Sequence, residues 1–178
     1  MIEARHVRAL REIYGGLGDS KVSWAVTASL SLALHGIPVE VHDIDILTDR
    51  DGAYEIERRF ASYSARAVAL RASERIRSHF GVLSVHGVEV EIMGDLEIYD
   101  EAHGWLVTPD LATHTEMLAF EGMAIPVRTL DAEYVAYLRL GRTDKAELVR
   151  TWMAASRKAQ EPEQKDAGCD NHAAAERV

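Results

Sequence analysis

The chain has 178 residues, 47% of them hydrophobic, which suits one domain with a buried core, with or without a tail. A formal net charge of −9, from 20 Lys and Arg against 29 Asp and Glu, excludes a protein whose main task is gripping a nucleic-acid backbone, but leaves room for a local phosphate site. The single cysteine, Cys169, excludes an intramolecular disulfide and any zinc site built on several cysteines.

In chain order, Val7, Leu10, Ile13, Tyr14 and Leu17 recur at helical spacing, so residues 2–15 predict an amphipathic helix that Gly15, Gly16 and Gly18 interrupt. The charged start MIEARHVRAL has no apolar stretch of the kind a secretory signal carries. Val22 to Thr27 is β-branched and aromatic and predicts a strand. Ser29 to His35 predicts a helix ending at Gly36, with Pro38 beyond it. The most apolar run, Ala25 to Leu34, falls far short of the roughly 20 residues that span a bilayer. A soluble, cytoplasmic protein without a membrane partner is therefore expected. Val41 to Leu47 predicts the next strand, and Asp49 or Asp51 can cap a helix over about 52–62. Residues 75–85 and 88–93, joined by His86-Gly87, predict a hairpin. Residues 105–108, 115–120 and 124–127 predict shorter strands. Asp131 to Leu140 and Thr143 to about Met153 predict two closing helices, and residues 156–178, poor in large apolar side chains, a disordered tail. The expected organisation is a mixed α/β domain over 1–155, with core motifs in 20–95 and a helical part in 129–155.

The stretch HDIDIL carries the first chemical signal. Side chains at i and i+2 of a strand share a face, so Asp43 and Asp45 stand side by side while Ile44 and Ile46 point to the core. Adjacent carboxylates raise each other's pKa unless a cation lies between them, and Mg²⁺ takes oxygen ligands of this kind. Val88-Glu89-Val90-Glu91-Ile92 alternates in the same way, so Glu91 or Glu89 is available as a third carboxylate if this strand lies beside the first. Thr27-Ala28-Ser29 forms a small-residue turn from strand to helix, where free N–H groups and the Ser29 hydroxyl suit a phosphate. Ser29 also reads simply as a helix cap, Glu89 as a solvated strand residue, and His35, His42 and His86 as structural. Arg142 and Lys145 are either solvated helix charges or partners for a triphosphate.

Together, TASLSLALHGIPVEVHDIDILTD, VHGVEVEIMGD and YLRLGRTDKAELV resemble the DNA polymerase β-like nucleotidyltransferase superfamily, and its small stand-alone, minimal and antibiotic-modifying members in particular. The resemblance spans roughly residues 20–150. It implies a nucleotidyltransferase fold, a mixed sheet flanked by helices. It also implies transfer of a nucleoside monophosphate from an NTP to a hydroxyl of a small molecule or protein. By the resemblance, Asp43 and Asp45 ligate Mg²⁺ and Glu91 matches the third carboxylate, as metal ligand or activator of the acceptor. The resemblance also implies that Ser29 touches the nucleotide phosphates, and Ala28 and Lys145 are the further nucleotide contacts expected. Two positions depart from the family pattern: Ala28 stands where Gly is usual, and Glu91 where Asp is commoner. An Ala at that turn is strained if its φ is positive. A catalytically silent, antitoxin-like binding module is therefore the alternative. A protein partner or a homo-oligomer stays open, while the acidic composition speaks against extension of DNA or RNA.

Overall fold

The computed structural model describes residues 1–108 and 110–160. Its elements are α1 (Ala4–Leu17), β1 (Trp24–Thr27), α2 (Ala28–Leu34), β2 (Ile44–Thr48), α3 (Arg50–Arg59), β3 (Ser64–Ala72), β4 (Ile76–Val85), β5 (Val88–Asp100), β6 (Gly104–Val107), β7 (Thr115–Phe120), β8 (Met123–Arg128), α4 (Leu130–Arg139) and α5 (Thr143–Gln160). Eight strands make one mixed sheet in the order β3-β4-β5-β2-β1-β8-β7, with β6 paired to the far end of β5. The pairs β2–β5 and β1–β8 are parallel. A mixed α/β architecture with flanking helices is the one expected from the sequence.

Alternation in β2 and β5 builds the core. Ile44, Ile46, Val90 and Ile92 all face inward and are fully buried. Leu10 and Ile13 of α1 and Ile56 of α3 close over them. Full burial of such a side chain is worth about 1.5–3 kcal/mol, so this layer fixes the register of the central strands. A second, smaller cluster joins Leu32 and Ile37 to Tyr137 of α4 and to Ala146 and Val149 of α5. It seats the two C-terminal helices against α2.

Several boundaries differ from the sequence reading, β5 among them, which runs on to Asp100 rather than ending at 93. β2 starts at Ile44 rather than Val41, because its antiparallel partner β1 ends at Thr27, opposite Asp45, where the chain turns into α2. Asp43 therefore lies in the bend that enters the strand. β3 was not anticipated: only Val68 of its nine residues is buried, so backbone pairing to β4 forms it rather than an apolar face. α3 starts at Arg50, with Asp49 as its cap through a 2.6 Å bond from the Gly52 N–H, and ends at Arg59 before a 3₁₀ turn. Of the tail expected from 156, residues 156–160 continue α5, and residues 161–178 lie outside the described residues. No helix among the described residues is long and apolar enough to cross a membrane.

Candidate active site

β1 passes directly into α2 at Thr27-Ala28. Ala28 is in the left-handed region, at φ +56°. Thr27 is the helix N-cap, yet its hydroxyl does not cap its own helix. It donates instead to Glu133 Oε1 of α4, at 2.7 Å, and the Ala28 N–H donates to the same oxygen at 3.0 Å. One of the N–H groups expected to be free at this turn is thus already taken, and α2 is only seven residues long. What the turn still offers is Ser29 Oγ, which is buried and has no hydrogen-bond partner among the described residues.

The carboxylates follow from the strand register. Asp45 lies opposite Thr27 on one side and beside Glu91 on the other, in parallel pairing. Side chains of paired residues share a face, so Asp45 and Glu91 stand together. The Asp45 pKa is pushed up to about 8, first by burial and then by the charges of Asp43, Glu91 and Glu133, against a lowering by Lys145. Burial also raises Glu91, with Asp43 and Glu89 adding to it, while a hydrogen bond from the Asp45 carboxyl offsets part of the rise. Glu89 itself is exposed, as its plain reading held.

Ala28, Ser29, Asp43, Asp45, Glu91 and Lys145 all line one cleft of about 510 Å³, together with Arg142. Glu40 and His42 form part of its rim, and His42 Nε2 is 3.7 Å from Glu40 Oε2. His35 is elsewhere, with its Nε2 2.9 Å from the Arg128 carbonyl, and His86 is a left-handed turn residue at φ +52°. Lys145 Nζ sits 5.6 Å from the centre of the Tyr137 ring. Among the described residues, no three His, Cys, Asp or Glu side chains stand converged as a ready metal cage. The donor set nonetheless suits a hard divalent cation: the three carboxylates offer only oxygen, and Asp45 and Glu91, raised first by burial and then by neighbouring carboxylate charge, would be eased by a cation beside them.

Glu133 was not singled out from the sequence. Its signal was there: it lies on the Leu130-Glu133-Tyr137 stripe of α4, a carboxylate on a face that otherwise reads as buried. The structure leaves it only 2% exposed. Burial raises its pKa, while Thr27, Arg128, the Ala28 N–H and the Ser31 hydroxyl work against the rise.

The sheet order, the strand-to-helix turn and the paired carboxylates define the fold and cleft of a nucleotidyltransferase. The family model described as aminoglycoside-2''-adenylyltransferase matches residues 9–150, and the chain belongs to that family of nucleotidyl-transferring enzymes. A crystal structure of a Thermotoga maritima protein assigned as a nucleotidyltransferase is 49% identical over 87% of this chain and 96% of that one, with a TM-score of 0.76. The solution structure of the antibiotic-resistance factor ANT(2'')-Ia superposes at TM-score 0.58 with 9% identity, covering 88% of each chain. The crystal structure of ANT(2'')-Ia with adenylyl-2''-tobramycin superposes at 0.55 with 10% identity, over 83% of this chain and 89% of that one. At such identities these two speak for the fold alone. Among curated proteins, none matches the sequence.

Proposed function

We propose that the chain transfers a nucleoside monophosphate from an NTP to a hydroxyl of a small molecule and releases pyrophosphate, with a divalent cation such as Mg²⁺ held by Asp43, Asp45 and Glu91. The observation that carries this reading is the register that sets Thr27, Asp45 and Glu91 in adjacent positions across three strands, with Asp45 and Glu91 lining one cleft beside Ala28 and Ser29. When bound, the cation supplies neutralisation of the triphosphate charge. The residues do the rest by position, which is most of what phosphoryl transfer asks of a protein. Ser29 Oγ donates to a phosphate oxygen, and Lys145 and Arg142 face it from the other wall. Glu91 takes the proton of the acceptor hydroxyl as that oxygen bonds to the α-phosphorus and the bond to pyrophosphate breaks.

ATP is the donor to test first, because the family is one of adenylyltransferases. The acidic side of the cleft, with Glu40, Asp43, Asp45 and Glu91, favours a cationic acceptor, and tobramycin, which carries the adenylyl group in the ANT(2'')-Ia complex, is a suitable probe. The reading places the reaction in the cytoplasm, where NTPs are abundant. A silent binding module is the second reading, and Ala28 at φ +56° is the observation that favours it. Thermal melts with ATP, GTP, CTP or UTP, with and without Mg²⁺, separate the two when combined with release of pyrophosphate. Turnover that disappears in Asp43→Asn and Asp45→Asn supports the enzyme. Nucleotide stabilisation without turnover supports the silent module, and no response to any NTP would sink the enzyme.

A further inference from the structure

We propose that Glu133 is a positioning residue. From α4 it holds the Thr27-Ala28-Ser29 turn, with Ala28 left-handed, and thereby sets where Ser29 and its buried, unpartnered hydroxyl stand in the wall of the cleft. The inference rests on the reading that this turn meets the triphosphate.

Four observations converge on one oxygen atom. Glu133 is 2% exposed, and a carboxylate is taken out of water at high cost unless its bonds are made inside. Its Oε1 accepts from Thr27 Oγ1 at 2.7 Å and from the Ala28 N–H at 3.0 Å, across more than 100 residues of sequence. Thr27, as N-cap, would ordinarily turn its hydroxyl to its own helix, and here that hydroxyl is committed to α4. Ala28 occupies φ +56°, a conformation its Cβ disfavours, so something beyond local preference holds it. The bond to its N–H fixes the peptide on which that strained φ turns.

The next residue shows what the clamp serves. Ser29 lines the cleft, and its hydroxyl is buried without a partner. A buried donor left without a partner is costly, and a phosphate oxygen would satisfy it. α4 leads directly into α5, which carries Lys145, and Arg142 lies between the two helices. One buried carboxylate thus ties the serine wall of the cleft to the helices that carry its basic wall.

The test uses the full chain. Glu133→Gln keeps an acceptor oxygen, Glu133→Ala removes it, and Glu133→Asp keeps the carboxyl group but withdraws it by one methylene. In the ligand-free protein, exchange of the Ala28 amide proton is expected to be about tenfold or more faster in Glu133→Ala and Glu133→Asp than in wild type, and near wild type in Glu133→Gln. The KM for ATP should rise by about tenfold or more in the same two variants, with the KM for the acceptor within about twofold. Adding Ala28→Gly to Glu133→Asp should recover part of the ATP KM, since glycine adopts the left-handed turn unaided. A Glu133→Ala or Glu133→Asp protein that loses melting temperature while Ala28 exchange and ATP KM stay within about twofold of wild type would show a purely structural carboxylate and overturn the proposal. If Glu133→Ala does not fold, Glu133→Asp and Thr27→Val carry the same comparison. If wild type binds no NTP, the functional reading fails, and the Ala28 exchange ratio still decides whether the clamp exists.

Discussion

Ala28 and Asp45 each sit in a state that an isolated residue would avoid, and each implies a measurement. Ala28 carries a Cβ at φ +56°, where glycine would be at ease. Ala28→Gly is expected to stabilise the protein by about 1 kcal/mol, or about 3 °C in Tm, readable in a thermal melt. Asp45 keeps its proton up to about 8 in the folded chain, against 3.8 when unfolded. Between those values the folded state binds more protons than the unfolded one, so stability falls as pH rises through that window. Glu91 and Glu133, both raised chiefly by burial, add to the same slope. Without ligand, the protein should therefore melt several degrees higher at pH 5 than at pH 8. Asp45→Asn should raise Tm at pH 8 and shrink that difference. A cation held by these carboxylates displaces their protons, so the Tm gain from Mg²⁺ should be larger at pH 8 than at pH 6, and a gain independent of pH would count against these ligands.

The elements that carry the site are the ones whose pattern was easiest to see. The period-two alternation of β2 and β5 marks both strands and puts Asp45 and Glu91 on their polar faces, because one face is fully buried. The turn of the β4–β5 hairpin was visible in His86-Gly87, which take φ +52° and +77° as a two-residue hairpin requires. What alternation could not supply was which strands are neighbours. Glu91 meets Asp45 only because β5 crosses to lie parallel to β2, a pairing that depends on packing over the whole sheet. The partners of Glu133 were hidden for the same reason, since they are more than 100 residues away. β3 was illegible because it buries almost nothing. Packing between elements has its own test at Gly94, which pairs with Thr48 at the far end of the β2–β5 ladder. A Cβ there would lie 2.8 Å from both the Ala53 Cβ and the Asp49 carbonyl, so α3 sits directly on β5. Gly94→Val should force that helix outward and cost about 1–3 kcal/mol in denaturant unfolding.

Taken whole, the molecule is built on two unequal cores, and the cleft lies where they meet. The large cluster joins the sheet to α1 and α3, whereas five buried residues, Leu32, Ile37, Tyr137, Ala146 and Val149, hold α4 and α5 to α2. Few buried contacts mean a low free energy of local opening, so α4 and α5 should exchange their amide hydrogens faster than β2 and β5 in the ligand-free protein. Ser29, Asp45 and Glu91 reach the cleft from α2, β2 and β5, and Arg142 and Lys145 from the C-terminal helical part, just before and within α5. A nucleotide that touches both groups binds only the closed arrangement, and its binding free energy adds to the cost of opening. At a ligand concentration of 100 times Kd that addition is about 2.7 kcal/mol, a slowing of exchange by about a hundredfold. ATP with Mg²⁺ should therefore protect α4 and α5 by up to that factor while leaving amides of the central strands that open only on global unfolding with a comparable gain. Lys145→Ala should reduce the protection that nucleotide adds to α5, measured against the variant's own exchange without nucleotide. Protection of β1 and α2 alone would mean that the nucleotide rests on the serine wall, and that the C-terminal helices take no part in holding it.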